Sequence, residues 1–263
     1  MMKKVLALAL AAVCMLPVAA GCNSDTSGDD KTFTVGFDAS FPPYGYQDES
    51  GEYVGFDLDL AAEVCERRGW TLKKQPIDWD SKDFELTNGN VDCLWNGFTM
   101  NGREDDYTWS EPYVDNSQVI VVKADSGIND FAGLAGKKVV VQADSSALHA
   151  LESDEHKELT GSFAELVQVP EYNSAFLNLE SGASDAIAMD IGVAQYQMES
   201  RGADNFKILD EVLQSEQYGV GFKKGNTELR DQVQETLDEM VADGTFMQIA
   251  EEWGVADSVC LGE

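Results

Sequence analysis

Apolar stretches with the lengths of strands alternate along the chain with stretches that have helical spacing. Buried strands are predicted at 33–37, 91–95, 117–123, 137–142, 185–190 and 218–223. Helices are predicted from Asp57, as N-cap, to about Arg68 with Gly69 as the stop, and from 144–146, which supply N-cap side chains, through Leu151. Two more are predicted, one from Asn173 or Ser174 to Gly182 and one from Thr227, as N-cap, with Leu229, Val233, Leu237 and Met240 on one face. This alternation predicts an α/β fold.

A short internal repeat indicates that the chain builds one unit twice. LTNGNVDCLWN from Leu86 and LESGASDAIAM from Leu179 share Leu-x-x-Gly-x-x-Asp ahead of an apolar strand. On this alignment Gly97 and Asp190 take equivalent places just past the strand ends, where open α/β sheets bind ligands. The repeat therefore predicts two lobes with a ligand cleft between them.

The first 21 residues have the features of an export signal: two lysines, an apolar run and small residues. LPVAAGC resembles the lipobox of bacterial lipoproteins, in which the signal is cut before the cysteine, here Cys22, and that cysteine receives lipid. An ordinary secretory signal is the alternative. Residues 22–31 are polar and predict a flexible tether. We expect a protein that lies outside the cytoplasmic membrane and is lipid-anchored on the periplasmic side or the outer face.

Charge and cysteine content narrow the function further. A formal net charge of −30 repels phosphate backbones and anionic lipids, which argues against nucleic-acid binding. Cys65, Cys93 and Cys260 remain beyond the signal and lack the spacing of a metal site. A Cys65–Cys93 disulfide and two buried free thiols are both compatible with an exported protein.

No sequence pattern supports catalysis. The chain has no nucleophile-elbow, phosphate-loop, dinucleotide or zinc-protease motif. His149 and His156 lie in a polar stretch without a recognisable nucleophile partner, so we interpret them as surface residues. We expect no enzyme activity, no cofactor and no metal.

Residues after the first predicted strand are candidates for contact with a ligand. Asp38, Phe41 and Tyr44 follow that strand closely. Aromatic rings beside a carboxylate suit a ligand with an apolar stem and a hydrogen-bond donor or cation at its tip. Tyr46 is equally consistent with packing under a loop.

The segment after the second strand carries polar backbone and a cation. Asn96, Gly97 and Thr99 offer amide groups and a hydroxyl, and Arg103 follows them. A guanidinium binds a carboxylate through two parallel hydrogen bonds. The alternative for Arg103 is a surface salt bridge with one of the acids at 104–106.

Two further candidates come from later in the chain. Ser145 and Ser146 stand at a predicted helix N-terminus, where free amide groups and the helix dipole favour an anion. Asp190 has the opposite charge and can accept an ammonium group, or it can cap the next helix.

Four separated blocks resemble the extracytoplasmic solute-binding proteins of polar amino-acid ABC transporters. They are VGFDASFPPYGYQDESGEYVGFDLDLAAEV, VDCLWNGFTMNGRED, LAGKKVVVQADSSA and SDAIAMD. The resemblance runs from Thr32 to Trp253 and implies a periplasmic-binding-protein-like fold of two α/β lobes with crossings near 121–125 and 217–221. Residues 32–122 and 220–263 would form lobe 1, and 123–219 lobe 2.

The resemblance also implies a role for each candidate. Arg103, Thr99, Ser145 and Ser146 would hold the α-carboxylate of an amino acid, and Asp190 would hold its ammonium group. Asp38, Phe41 and Tyr44 would meet the ligand side chain. The chain departs from the family in a turn that is one residue shorter before Arg103 and in Asp144, which stands where a glycine is usual.

These expectations describe a monomeric protein that captures a free polar L-amino acid and delivers it to ABC permease subunits. Asp38 favours glutamine, lysine, arginine or histidine over acidic ligands, and cystine remains open. The alternatives are an exported cyclohexadienyl dehydratase-like enzyme on the same fold and a sensory ligand-binding protein.

Overall fold

A computed structural model describes residues 31–262, so the export signal, Cys22 and most of the tether lie outside the described residues. The strands are β1 (Thr32–Phe37), β2 (Ser40–Phe41), β3 (Gly45–Gln47), β4 (Tyr53–Val54), β5 (Thr71–Pro76), β6 (Cys93–Leu94), β7 (Tyr107–Trp109), β8 (Val114–Lys123), β9 (Lys138–Gln142), β10 (Glu165–Val169), β11 (Ala186–Asp190), β12 (Phe206–Tyr218) and β13 (Gly221–Lys223). The helices are α1 (Phe56–Arg68), α2 (Lys82–Thr87), α3 (Ser146–Glu152), α4 (Lys157–Ser162), α5 (Tyr172–Ser181), α6 (Ile191–Arg201), α7 (Thr227–Asp243) and α8 (Thr245–Glu252).

Two mixed sheets form the two lobes. The first has the order β5-β1-β6-β13-β7, and the second has the order β10-β9-β11-β8-β12. β2, β3 and β4 make a small separate sheet next to the first. Helices α7 and α8 pack against α1 on the first lobe, where the Trp253 indole donates to Asp59 at 2.8 Å. The predicted two-lobed α/β fold is confirmed.

The chain passes between the sheets twice. β7 ends at Trp109 and β8 begins at Val114, and β12 ends at Tyr218 just before β13. The two passages lie side by side, since the Tyr113 amide donates to the Tyr218 carbonyl at 2.9 Å. The predicted passage near 217–221 therefore matches the observed one.

The predicted passage near 121–125 is wrong. β8 belongs to the second sheet over its whole length, pairing with β12 from Val114 to Lys123, so residues 114–122 are not part of the first sheet. An apolar run reveals that a strand is buried but not which sheet it joins, which is the physical reason for the error.

The internal repeat corresponds to a repeated structural unit. α2 leads into β6, and α5 leads into β11. In the first unit, the Asp92 carboxylate accepts the Thr34 amide at 2.7 Å while the Asp92 amide donates to the Thr34 carbonyl. In the second, Asp185 makes the same pair of bonds with Lys138, at 2.9 and 2.8 Å. The repeated aspartate thus ties the start of each strand to its parallel neighbour.

Helix α1 differs from its prediction at the N-terminus. Its N-cap is Gly55, and Asp57 lies inside the first turn, fully buried. The Asp57 carboxylate accepts the Gly97 amide at 2.5 Å and the Tyr113 hydroxyl at 2.8 Å. Asp57 therefore ties α1 to the strand end at Gly97 instead of capping its own helix, and the predicted cap is wrong.

Other helix boundaries follow local capping chemistry more closely. Of the three N-cap candidates at 144–146, Ser145 caps α3, its hydroxyl accepting the Leu148 amide. Gly69 and Gly182 end α1 and α5 in left-handed conformations, also as predicted. Glu171, rather than Asn173 or Ser174, caps α5, because its longer carboxylate accepts both of their amides. Asn226, rather than Thr227, occupies the N-cap position of α7.

Cys65 and Cys93 are buried free thiols, so the alternative of a disulfide between them is not formed. Burial raises the pKa of the Cys65 thiol to about 11. Across residues 31–262 no helix has the length and apolarity required to span a bilayer.

Candidate functional site

A small cavity lies between the lobes, where the strand ends of the two sheets face each other. It is lined by Phe41, Trp79, Asn96, Gly97, Phe98, Thr99, Arg103, Gln142, Ser145, Ser146 and Asp190. Eight of the ten residues predicted from sequence are in this set, and Asp38 and Tyr44 are not. The cavity measures about 20 Å³, room for about one water molecule. An amino acid therefore enters only when the lobes move apart.

Arg103 presents a buried cation to this cavity, with 7% of its surface exposed. Its guanidinium donates to the carbonyls of Thr99 and Asp144 at 3.3 and 3.4 Å and contacts a His149 ring nitrogen at 3.3 Å. Among the described residues none of the ion pairs involves Arg103, so the alternative of a salt bridge with the acids at 104–106 is not formed. A guanidinium without a carboxylate partner is suited to bind an anionic group.

Two of the predicted hydroxyls bond to an acid that sequence reasoning missed. The Thr99 hydroxyl donates to Glu216 at 2.7 Å, and the Ser146 hydroxyl donates to the other Glu216 oxygen at 2.5 Å. The Ser145 hydroxyl instead caps α3. The hydroxyls from the two lobes therefore meet at one carboxylate of the strand β12.

Asp190 ends β11 with its side chain buried among donors. Its Oδ1 accepts from Asn116 at 2.8 Å, Gln118 at 2.6 Å and the Tyr218 hydroxyl at 2.7 Å. It occupies the N-cap position of α6 but makes no side-chain cap bond, so the capping alternative is not realised. Burial, followed by the charge of Glu216, raises the pKa of Asp190 to about 7. An ammonium group placed here would stabilise the ionised carboxylate.

Asp38 and Tyr44 lie near the cavity without lining it. Asp38 accepts the Gln142 amide from the other lobe at 2.6 Å and faces a neighbouring cavity of about 440 Å³. Burial raises its pKa to about 6. Tyr44 is buried, with its ring centroid 5.9 Å from Phe41 and 5.2 Å from Tyr218. Asp38 therefore joins the lobes, and Tyr44 supports the aromatic wall from behind.

A second contact between the lobes surrounds Asp144. Asp144 has a left-handed backbone with φ 54°, and its carboxylate pairs with Lys82 and, at 3.3 Å, with His149. Lys82 comes from the first lobe and is 1% exposed. His149 is half exposed, as a surface residue is expected to be, but it also takes part in this network.

Burial and pairing shift the pKa of both partners. Burial alone would raise the pKa of Asp144, but hydrogen bonds from His149 and Lys82 outweigh it and lower that pKa to about 2. Burial lowers the pKa of Lys82, and the attraction of Asp144 offsets only part of that effect. The position of Asp144 thus gives this chain an ionic link between its lobes.

A family model of bacterial extracellular solute-binding proteins, family 3, matches residues 33–256. The chain belongs to this family. The L-cystine-binding protein TcyA of Bacillus subtilis is 30% identical over 222 residues, covering 84% of this chain and 80% of TcyA. The arginine-binding extracellular protein ArtP of Bacillus subtilis is 29% identical over 258 residues, covering 96% of this chain and 98% of ArtP.

Solved structures agree with the family assignment. An ABC uptake transporter substrate-binding protein from Streptococcus pneumoniae with bound histidine superposes with a TM-score of 0.82 at 34% identity, covering 86% of this chain and 93% of that one. This solute-binding protein therefore shares fold and family with proteins that hold different polar amino acids.

Some residues of the site belong to no recognisable sequence motif and were not predicted. Asn116, Gln118 and Glu216 are buried polar residues on β8 and β12, and Trp79 and Gln142 complete the wall of the cavity. The available signal was the alternation of polar Asn116 and Gln118 ahead of an otherwise apolar strand, which places both amides on one face of the sheet.

Proposed function

We propose that this protein captures a free polar L-amino acid outside the cytoplasmic membrane and delivers it to the permease of an ABC transporter, without chemistry on the ligand. The observation that carries the proposal is the separation of charge across the cavity. Arg103 on the first lobe has no carboxylate partner among the described residues, and Asp190 on the second lobe has no cationic one. A zwitterion supplies both missing partners.

The lining of the cavity supports one assignment of the ligand groups. Arg103 binds the α-carboxylate, with the α3 N-terminus at Ser145 adding to the positive potential. Thr99 and Ser146, whose hydroxyls donate to Glu216 in the structure, turn to the α-carboxylate when the ligand binds. Asp190 binds the α-ammonium group. Phe41 and Trp79 provide apolar surface for the ligand side chain, and Asn96 and Gly97 provide the floor.

The ligand side chain is neutral or cationic in this proposal. Among the described residues that line the cavity, Arg103 is the only cation, and the α-carboxylate uses it. The neighbouring cavity continues past Trp79 and is lined by the carboxylates of Asp38, Asp78, Glu85 and Glu171. An acidic side chain would be repelled there. Relatives that bind arginine, histidine or glutamine agree with this class, and cystine, named for TcyA, lies within it as a neutral residue.

The location follows from the sequence and from the family's extracellular character. Cys22, which lies outside the described residues, is proposed as the lipid-bearing residue after signal cleavage. Replacing it in the full chain, Cys22→Ala, is expected to move the protein from the membrane fraction to the soluble extracytoplasmic fraction. Retention of the variant on membranes would contradict the anchor.

The decisive test is Arg103→Ala. A thermal-shift screen of the twenty amino acids and cystine identifies ligands, and calorimetry then measures affinity. Losing the charged hydrogen bonds of one guanidinium, about 1.5 to 3 kcal/mol each, is expected to weaken binding roughly 100-fold or more while the fold persists. Arg230→Ala removes an arginine that pairs with Asp231 away from the cavity, and it should bind normally.

Two other outcomes would count against the proposal. If Arg103→Ala binds as tightly as the wild type, the guanidinium does not hold the ligand. Asp190→Asn is expected to lose a similar amount of affinity, and wild-type-like thermal stabilisation of that variant would reject its role. Turnover of a cyclohexadienyl substrate by the purified protein would support the dehydratase-like alternative instead.

A further inference from the structure

The ammonium side of the cavity contains a second buried carboxylate. β8 runs between β11 and β12 in the sheet, so residues on one face of β8 reach acids on both neighbours. Asn116 and Gln118 are two positions apart on β8, and their side chains point to the same face. Asp190 on β11 and Glu216 on β12 flank them, each only 4% exposed.

The two carboxylates share the same donors. The Asn116 amide nitrogen donates to Asp190 and to Glu216, both at 2.8 Å. The Gln118 amide nitrogen does the same at 2.6 and 2.7 Å. Two acceptors on the two hydrogens of one amide nitrogen stand about 4 to 5 Å apart. Asp190 and Glu216 are therefore close neighbours that are bridged by the two side-chain amides.

No cation compensates this pair among the described residues. Thr99, Ser146 and Gln214 donate to Glu216, and Tyr218 donates to Asp190. Each of these donors is neutral. Arg103 lines the same cavity, but its bonds go to Thr99, Asp144 and His149.

The other titratable groups that face the pair do not supply charge either. Tyr44, Tyr172 and Tyr218 surround it, and burial together with the nearby acids raises the pKa of each phenol, which keeps it neutral. Asp38 is a further acid, and its charge also raises the pKa of Tyr172. The side-chain amide oxygens of Asn116 and Gln118 are buried and accept no hydrogen bond from residues 31–262. Around Asp190 and Glu216, buried acceptor oxygens therefore outnumber the hydrogen-bond donors.

We propose that Glu216 is a positioning residue of the ammonium subsite, whose charge keeps a proton on Asp190 until the ligand's ammonium group displaces it. The inference rests on the proposed function, because it assigns the second acid of the same subsite. Before binding, the protonated pair has one negative charge. After binding, two carboxylates and one ammonium group again sum to one negative charge, and the proton passes to solvent.

This exchange makes binding depend on pH. The ligand binds to the pair in its fully ionised form, so protonation competes with it. Because burial raises the pKa of Asp190 to about 7, affinity should decrease as the pH falls below 7, by at most about tenfold per unit. Near neutral pH, binding should release a fraction of a proton, up to one for each amino acid.

The ligand-free protein provides the first test. Carbon NMR of the side-chain carboxyls, with the Asp190 signal assigned through Asp190→Asn, follows the titration of Asp190. A midpoint near 7 is expected in the wild type, and a lower one in Glu216→Gln because the neighbouring charge is gone. Glu239→Gln makes the same charge change on the exposed face of α7 and should leave the midpoint in place. A midpoint that is equal in Glu216→Gln and the wild type would overturn the proposal.

Calorimetry provides the second test. L-Arginine, L-histidine, L-glutamine and L-cystine are titrated near pH 7 in phosphate and in Tris, whose different ionisation enthalpies report proton release. Less proton release is expected from Glu216→Gln than from the wild type, and equal release would overturn the proposal. Glu216→Asp keeps a second carboxylate and should retain the raised midpoint, even if Glu216→Gln fails to fold. If none of the twenty amino acids or cystine binds, the proposed function fails while the NMR result still decides the role of Glu216.

Discussion

Breaking the link between Lys82 and Asp144 should weaken ligand binding without unfolding either lobe. The pair connects the first lobe to the second, so it exists only when the lobes are together. When they separate, both charges return to water. Lys82→Met keeps the length of the side chain and removes its charge. Asp144→Asn keeps a residue type that tolerates the left-handed backbone at this position.

The magnitude follows from the burial of the two partners. Removing one member of a fully buried pair costs about 3 to 5 kcal/mol. Lys82 is buried, but the Asp144 side chain is 35% exposed, and solvent screening reduces the interaction. We therefore expect a loss of about 1 to 2 kcal/mol from the closed form alone, which is about a 5- to 30-fold increase in Kd.

A double-mutant cycle separates this pair from its surroundings. Calorimetry on the wild type, Lys82→Met, Asp144→Asn and the double variant uses the amino acid that stabilises the wild type most. Each single variant should weaken binding, and the double variant should be little worse than the singles, because the shared interaction is lost once. If the two effects add fully, the charges do not act on each other and the reasoning fails. Arg68→Met breaks a pair with the exposed Glu235 within the first lobe and should leave Kd unchanged.

Two further predictions concern stability. Burial raises the pKa of Asp38 to about 6 and those of Asp57 and Asp190 to about 7, so the folded chain keeps protons that the unfolded chain releases above about pH 4. The free energy of unfolding should therefore fall as the pH rises from 4 to 7, by up to about 1.4 kcal/mol per unit for each group, and urea unfolding with the opposite slope would contradict this. Gly97→Ala should destabilise the fold by about 1 to 3 kcal/mol in thermal unfolding, because Gly97 has φ 56° and an added Cβ would lie 2.9 Å from Phe41 and 3.0 Å from Tyr218; an unchanged Tm would refute the tight fit.

A strand that is buried on both of its faces can be predicted from the sequence more easily than an edge strand. The six strand predictions correspond to β1, β6, β8, β9, β11 and β13, and these are the interior strands of the two large sheets. Of the seven other strands, β5, β7, β10 and β12 are the edges of the same sheets, and β2, β3 and β4 form the small separate sheet. An edge strand such as Thr71–Pro76, TLKKQP, keeps polar residues along its length and lacks the apolar run that marks an interior strand.

The same rule explains what was found and missed at the site. Gly97 and Asp190 follow interior strands, so their positions could be inferred from the repeat. Glu216 lies near the end of the edge strand β12, where the sequence QSEQY gives no apolar signal. Its burial comes in part from residues of the other lobe such as Thr99. Lys82 and Asp144 meet only across the lobes. Contacts of that kind depend on tertiary arrangement, and local sequence patterns carry no information about them.

The repeated unit places opposite charges at equivalent places in the two lobes. The end of β6 leads to the Gly97 amide and then to the buried cation of Arg103, whereas the end of β11 is the carboxylate of Asp190. A ligand with one charge satisfies one lobe and leaves the other with a desolvated group that lacks a partner, which costs free energy on closure. A zwitterion satisfies both lobes at once. Closure is therefore coupled to the presence of both charged ends, and the amine formed by removing the carboxylate from the best-bound amino acid should fail to reduce the radius of gyration in small-angle scattering. If that amine closes the lobes as well as the amino acid does, the division of charge between them does not control closure.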